Sequence, residues 1–236
     1  MGLEIINQFY DENASQKFIN QNLNNIDFRY MAIKSAMATR GYDKAISLCI
    51  EGENENRQYP GIIKTLQEMR YAAYEGMGNK TEQKALALTL LLDGEFDYFL
   101  KYKNLYSKSE WENVFNEVLK KTEKAGARGV YLKIITHEKH KPRILAYCEK
   151  YQNAIVDYHS HILPEFKLEV GQIFTDYIRR RASGADNRGQ YSEVCNLIKI
   201  CDKACPGATD KVCAEIIQQY ARKPAFMDEM RKIKKL

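Results

Sequence analysis

The chain has 236 residues, 44% of them hydrophobic and 28% charged, with a formal net charge of +5. This length supports one large domain or two small ones, and the composition is that of a folded globular chain rather than a disordered or fibrous one. No run of about 18 apolar residues occurs, which excludes a membrane-spanning helix, and the mild positive charge permits an acidic partner without requiring one.

Residues 1–25 carry short apolar clusters in an Asn-rich background and read as a lead-in or a first helix. Their start has no basic segment followed by an apolar one, so no secretion signal is expected. Gly2 is followed by Ile6 where a myristoylation pattern needs Ser or Thr. Without a secretory route, the six cysteines are expected as reduced thiols in the cytoplasm, and the triplets at Asn13 and Asn79 as chance glycosylation matches.

Phe28, Met31, Ala32, Ser35 and Ala36 recur at helical spacing, and the period restarts at Tyr42, Ala45, Ile46, Cys49 and Ile50. Gly41 is the expected left-handed turn residue between the two helices, and Gly52 the expected end of the second. A hairpin so short must pack antiparallel and leaves one side to be covered by a neighbour. Pro60 opens a long helix through Ile63, Leu66 and Ala73 to Gly76 and Gly78. Residues 83–92 contain ALALTLLL and read as a central, buried helix. Phe96, Phe99 and Leu100 restart the period after Gly94.

Ser109 followed by Glu112 fits a capping box, and Trp111 then begins an apolar face with Val114, Phe115, Val118 and Leu119, which makes the single tryptophan a core anchor. Residues 131–136 and 143–151 form a further pair, split near Pro142. Pro164 opens a helix through Val170, Phe174 and Ile178. Val194, Cys195 and Ile198 follow Gly189 and Tyr191, and Val212, Ile216 and Tyr220 share one face after Pro206 and Gly207. Phe226, Met230 and Ile233 face inward from a last helix that begins at Pro224, with Asp228, Glu229 and the basic residues toward water. Ten to twelve helices are expected. Three glycine–aromatic junctions, ending at Tyr42, Phe96 and Tyr191, hint at a repeat without a fixed period, so a solenoid of hairpins competes with an irregular helical bundle.

Few residues suggest chemistry. His137 and His140 are one residue too close for the helical zinc-protease motif, and His159 and His161 face opposite ways on a helix. Cys195, Cys201, Cys205 and Cys213 lack metal-ligand spacing and read as buried thiols. No phosphate-binding glycine loop or nucleophile elbow is present. No catalytic residue, cofactor or metal is therefore expected, and the chain is read as a non-enzyme. The basic runs are different: Arg179, Arg180 and Arg181, with Arg222, Lys223 and Arg231, are the candidate partner- or phosphate-binding residues, and 16 tyrosines could supply stacking surfaces.

Gly41-Tyr42-Asp43-Lys44-Ala45-Ile46 with Glu51-Gly52-Glu53, then Leu90-Leu91-Leu92-Asp93-Gly94, the isolated Trp111, and the ending from Arg222-Lys223-Pro224-Ala225-Phe226 to Lys232 together resemble the C-terminal helical region of bacterial SWIM zinc-finger proteins. The resemblance covers most of residues 28–236. It implies a degenerate tetratricopeptide-type (TPR-like) array and a role in binding proteins. The paired Cys-x-Cys and Cys-x-His of the finger do not occur here, so the zinc site and the DNA binding attached to it are not implied.

The expectation is an all-α array of antiparallel helical hairpins, with 26–236 as a single helical-repeat domain closed by a capping helix at 224–236. The expected role is a non-catalytic, cytoplasmic protein-interaction scaffold with a protein or peptide partner. The alternative is a nucleic-acid-binding helical module that uses the basic clusters.

Overall fold

A computed structural model describes residues 12–233. The readings of residues 1–11 and 234–236 lie outside it. Among the described residues there are fourteen α-helices, one 3-10 turn and no strand. The all-α reading holds, with more and shorter helices than periodicity separated. No helix of the described residues is long and apolar enough to cross a membrane.

The chain forms two compact units, one ending at Tyr131 and the other beginning at Leu132. The sequence reading had a single array over 26–236. The packing divides it because each stretch has its own core.

The first unit holds α1 (Glu12–Gln21), α2 (Ile26–Ala38), α3 (Tyr42–Glu55), α4 (Pro60–Met77), α5 (Lys80–Leu92), α6 (Asp97–Asn104) and α7 (Lys108–Lys124). From α1 to α6, each helix packs on the next in sequence, so neighbours pair as hairpins. Ile33, Leu48, Leu66, Ala73, Leu90, Leu91 and Phe99 fill its interior. Helix starts follow local chemistry. Asn25 and Asn79 cap α2 and α5 by accepting from the amides of Asp27 and Glu82, and Pro60 occupies the first turn of α4. The Asn79 triplet is thus a helix cap.

Several local expectations are corrected. The left-handed residue between α2 and α3 is Arg40, at φ 58°, while Gly41 has φ −77° and caps α3. Gly52 does not end α3. It is buried inside it, and a methyl group there would sit 2.6 Å from Arg29 Cδ and 2.9 Å from Leu66 Cδ1. This close approach lets buried Arg29 bridge α2 to α3. Its guanidinium donates to the carbonyls of Leu23 and Leu48 and to Glu55 Oε2, at 3.1, 3.0 and 2.6 Å. The capping box belongs to Ser107 and Glu110, two residues before the expected pair, because Ser107 has the extended backbone that a cap needs. Helix α5 buries Leu86, Ala87, Leu90 and Leu91 but exposes Ala85 and Thr89, so it covers the core from one side.

The second unit takes the rest of α8 (Arg128–His137), then α9 (Lys141–Lys150), α10 (Ile155–Ile162), α11 (Lys167–Ser183), α12 (Arg188–Ala204), α13 (Asp210–Tyr220) and α14 (Pro224–Lys232). Its organisation is different. Helix α11 packs on α9, α10, α12 and α13, and buries Val170, Ile173, Phe174 and Ile178 at the centre. This unit is a bundle around one helix. Helix α14 packs on α12 and α13 with Phe226, Met227 and Met230 buried. Ile233 is half-exposed, and Glu229, expected in water, is only 5% exposed. The aromatic ring of Phe226 explains the arrangement: it stacks on Tyr191 at 4.6 Å and tilts against Tyr220 at 5.4 Å. The three glycine–aromatic junctions have three backbone roles: Gly41 caps α3, Gly94 is left-handed, and Gly189 lies in the first turn of α12.

Candidate functional site

All six candidate basic residues lie in the second unit, and their surroundings separate them. Arg179 Nε and Nη2 donate to both oxygens of Glu215 at 2.7 and 3.3 Å, and Nη1 donates to Asp176 at 3.0 Å. This fork joins α11 to α13, and the Arg179 guanidinium beside Glu215 holds that carboxyl below its ordinary range. Arg181 is paired with Glu193 of α12. Arg231 is paired with Asp228 at 3.0 Å. Asp228 also accepts from Arg188, and Glu229 takes Arg188 at 3.2 Å and Lys232 at 2.5 Å. The basic end of α14 is therefore ion-paired within the fold, with Asp228 and Glu229 shared among Arg188, Arg231 and Lys232.

Arg180, Arg222 and Lys223 differ. Arg180 is exposed and its guanidinium lies 5.2 Å from the Tyr177 ring centroid. Arg222 is exposed on the turn between α13 and α14. Lys223 donates to the carbonyl of Ala185 at 3.1 Å, and its ammonium lies 5.1 Å from the Tyr220 ring and 5.6 Å from that of Tyr191. None of the three makes an ion pair among the described residues. The Lys223 bond ties the turn before α14 to the end of α11. A cleft of about 360 Å³ opens between α11 and α13, lined by Arg179, Arg180, Ser183, Glu215, Gln219 and Tyr220 among others.

The first unit offers an apolar groove of about 460 Å³ between α2 and α4, lined by Lys34, Met37 and Ala38 on one side and Met69 and Ala72 on the other. Met37 and Met69 are half-buried and pack against the core of the unit with flexible thioether chains. Sequence reading placed Met69 on the apolar face of its helix but did not single out Lys34, Met37, Ala38 or Ala72. The signal was present: Met37 and Ala38 are apolar yet lie off the face set by Phe28, Met31, Ala32, Ser35 and Ala36.

Trp111 is not a fully buried anchor. It is half-buried at the edge of an aromatic group, 5.7 Å from Phe99, 6.3 Å from Tyr106 and 6.2 Å from Phe115, with the Lys103 ammonium 5.4 Å from its ring. Tyr106 donates to the Tyr102 hydroxyl at 2.9 Å, and Lys84 covers the Tyr106 ring at 3.8 Å.

All six cysteines are buried and none is in a disulfide. Burial pushes the thiols of Cys49 and Cys148 up to about 12 and that of Cys195 to about 11, which suppresses the nucleophilic thiolate at neutral pH. His159 Nδ1 lies 2.9 Å from the Val156 carbonyl and its ring meets Phe174 edge-on, while His161 is exposed. Among the described residues no group of three or more His, Cys, Asp or Glu side chains is placed to hold a metal ion. Compared with known protein families, curated proteins and solved structures, the chain matches none.

Proposed function

We propose that the chain is a non-catalytic, cytoplasmic protein-interaction scaffold, in which TPR-like hairpins of the first unit present the α2–α4 groove to a segment of a partner protein. The observation that carries this reading is the groove itself. Its walls are Met37, Ala38, Met69 and Ala72, and the exposed residue Lys34 lines it as well. Apolar walls exclude water from a bound side chain, and methionines adapt their shape to it. The sequence resemblance to the helical region of SWIM zinc-finger proteins, whose suspected work includes protein binding, supports the same class of role. The nucleic-acid alternative is weakened by the pairing of Arg179, Arg181 and Arg231 with Glu215, Glu193 and Asp228, which removes half of the candidate cations.

A random-peptide display selection against the full chain tests the proposal. Selected peptides should carry an apolar anchor, and Ala38→Arg should weaken them at least tenfold. Ala38 is exposed at the end of α2, so the longer side chain crowds the groove without entering the core. Peptides that bind Ala38→Arg as tightly as the wild type would remove the groove from consideration.

A further inference from the structure

The α2–α4 groove opens beside the point where the chain enters α1. The Phe18 ring meets Phe28 edge-on at 5.4 Å, and Ser35 Oγ donates to Gln16 Oε1 at 3.0 Å. The touching residues advance along α2 as they retreat along α1, so the two helices run antiparallel. Four residues, about 6 Å of helix, separate Gln16 from Glu12 and Ser35 from Thr39. Helix α1 thus begins level with the end of α2 that carries Met37 and Ala38. Around α2, Ala38 lies about 60° from Ser35, so the groove wall adjoins the face that α1 covers. Ala38 is exposed, and Met37, Met69 and Ala72 are half-buried, which leaves apolar surface for a further segment to cover.

The eleven residues that precede α1 match this groove in chemistry. They carry Leu3, Ile5, Ile6 and Phe9 with Glu4 and Asp11, and no Lys or Arg. The charged residue of the groove lining is Lys34. Reach is ample: eleven extended residues span roughly 36 Å, and the α2 wall from Lys34 to Ala38 is about 6 Å long.

We infer that residues 1–11 are the groove's own occupant, an autoinhibitory segment that sets an apolar side chain between Met37 and Met69 and a carboxylate of Glu4 or Asp11 at Lys34, and that a partner must displace. The inference rests on the groove being the partner site. Burial of Ile or Phe against the two methionines and Ala72 takes apolar surface out of water. Tethering makes this contact intramolecular, at an effective concentration of about millimolar for a short linker, which a free segment must outcompete.

Maleimide labelling of the full chain tests it, since all six native thiols are buried. Ala38→Cys and Ala72→Cys, one on each wall, should each label at least tenfold faster when combined with Leu3→Ser/Ile5→Ser/Ile6→Ser/Phe9→Ser. Thr89→Cys, exposed on α5, should keep its rate within twofold. Glu4→Lys/Asp11→Lys should speed Ala38→Cys at least threefold. A fluorescein-labelled peptide of residues 1–11 should bind the quadruple Ser variant at least tenfold more tightly than the wild type, and adding Ala38→Arg should abolish the gain. Equal labelling rates with and without the Ser substitutions, or equal peptide binding by the two proteins, would overturn the inference. So would a wild-type dimer in light scattering that the Ser substitutions convert to monomer, because the segment would then fill the groove of a second copy. The two readings fail separately. Equal labelling rates beside display-selected peptides that need Ala38 remove the autoinhibitory segment and keep the groove, whereas protected walls with no selected peptide keep the segment and remove the partner site.

Discussion

Gly52→Ala offers the sharpest test of how the first unit is packed. Inside an ordinary helix this change stabilises by about 1 kcal/mol, because alanine loses less backbone freedom on folding. Here the new methyl group would lie 2.6 Å from Arg29 Cδ and 2.9 Å from Leu66 Cδ1. Neither atom can step aside easily. Leu66 is fully buried, and Arg29 is 2% exposed and held by the carbonyls of Leu23 and Leu48 and by Glu55. Overpacking of this kind costs roughly 1–3 kcal/mol. Displacing Arg29 enough to break one of its charge-assisted hydrogen bonds adds about 1.5–3 kcal/mol. The net expectation is a loss of about 3 kcal/mol. Gly61→Ala is the internal control: it lies in the first turn of α4 with nothing within 4 Å of the added carbon, so it should stabilise by about 0.5–1 kcal/mol. Urea denaturation followed by the fluorescence of Trp111, the single tryptophan and a residue of the same unit, reads both variants. A Gly52→Ala protein as stable as Gly61→Ala would refute the placement of Arg29 and Leu66 against α3.

Trp111→Ala should destabilise by about 2 kcal/mol, below the range of roughly 3–5 kcal/mol for a fully buried tryptophan, since the ring is half-exposed beside Phe99 and Phe115; a loss above about 4 kcal/mol in the same melts would contradict that placement. Glu110, Glu215 and Glu229 have pKa values lowered by Ser107, Arg179 and Lys232 respectively. Their stabilisation is therefore present above the unfolded glutamate value of about 4.3 and is lost as pH falls below it toward the lower folded values. Replacing all three with Gln should flatten the melting temperature between about pH 5 and pH 3, and an unchanged acid limb would count against the pairings. Deletion of 224–236 removes the buried Phe226, Met227 and Met230 and uncovers Tyr191, so it should lower the melting temperature and cause aggregation; a truncated chain with the wild-type melt would show that α14 does not cover the second unit.

What the sequence disclosed depended on how local the determining physics was. Helix identity came from apolar spacing within ten or so residues, and it transferred to the structure for nearly every segment. Ends were less legible. Ser107 and Ser109 both precede a glutamate three residues on, and only the extended backbone of Ser107 decides between them. Gly41 and Gly52 read as helix terminators because glycine usually is one, yet Arg40 takes the left-handed turn and Gly52 serves a close helix contact. That contact depends on Arg29, which lies 23 residues away and whose charge gave no hint of burial. The two-unit organisation was hidden for a similar reason. Every helix of the second unit has an ordinary amphipathic face, and nothing in α11 alone says that four other helices will pack around it.

The candidate site shows the same limit in its charges. Arg179, Arg180 and Arg181 are consecutive in sequence and look equivalent as a basic run. On a helix each successive residue turns by about 100°, so three neighbours must address three surroundings. One meets Glu215 of α13, one meets Glu193 of α12, and the one between them lies against Tyr177 at the cleft. Glu215 and Glu193 lie 36 and 12 residues from their arginines, so the pairing follows from the bundle topology and not from the run itself. A basic run on a helix thus reports total charge, while the charge available to a partner is what the neighbouring helices leave uncancelled. Among the six candidate residues that remainder is Arg180, Arg222 and Lys223, drawn from two separate runs, with Lys223 set on the carbonyl of Ala185.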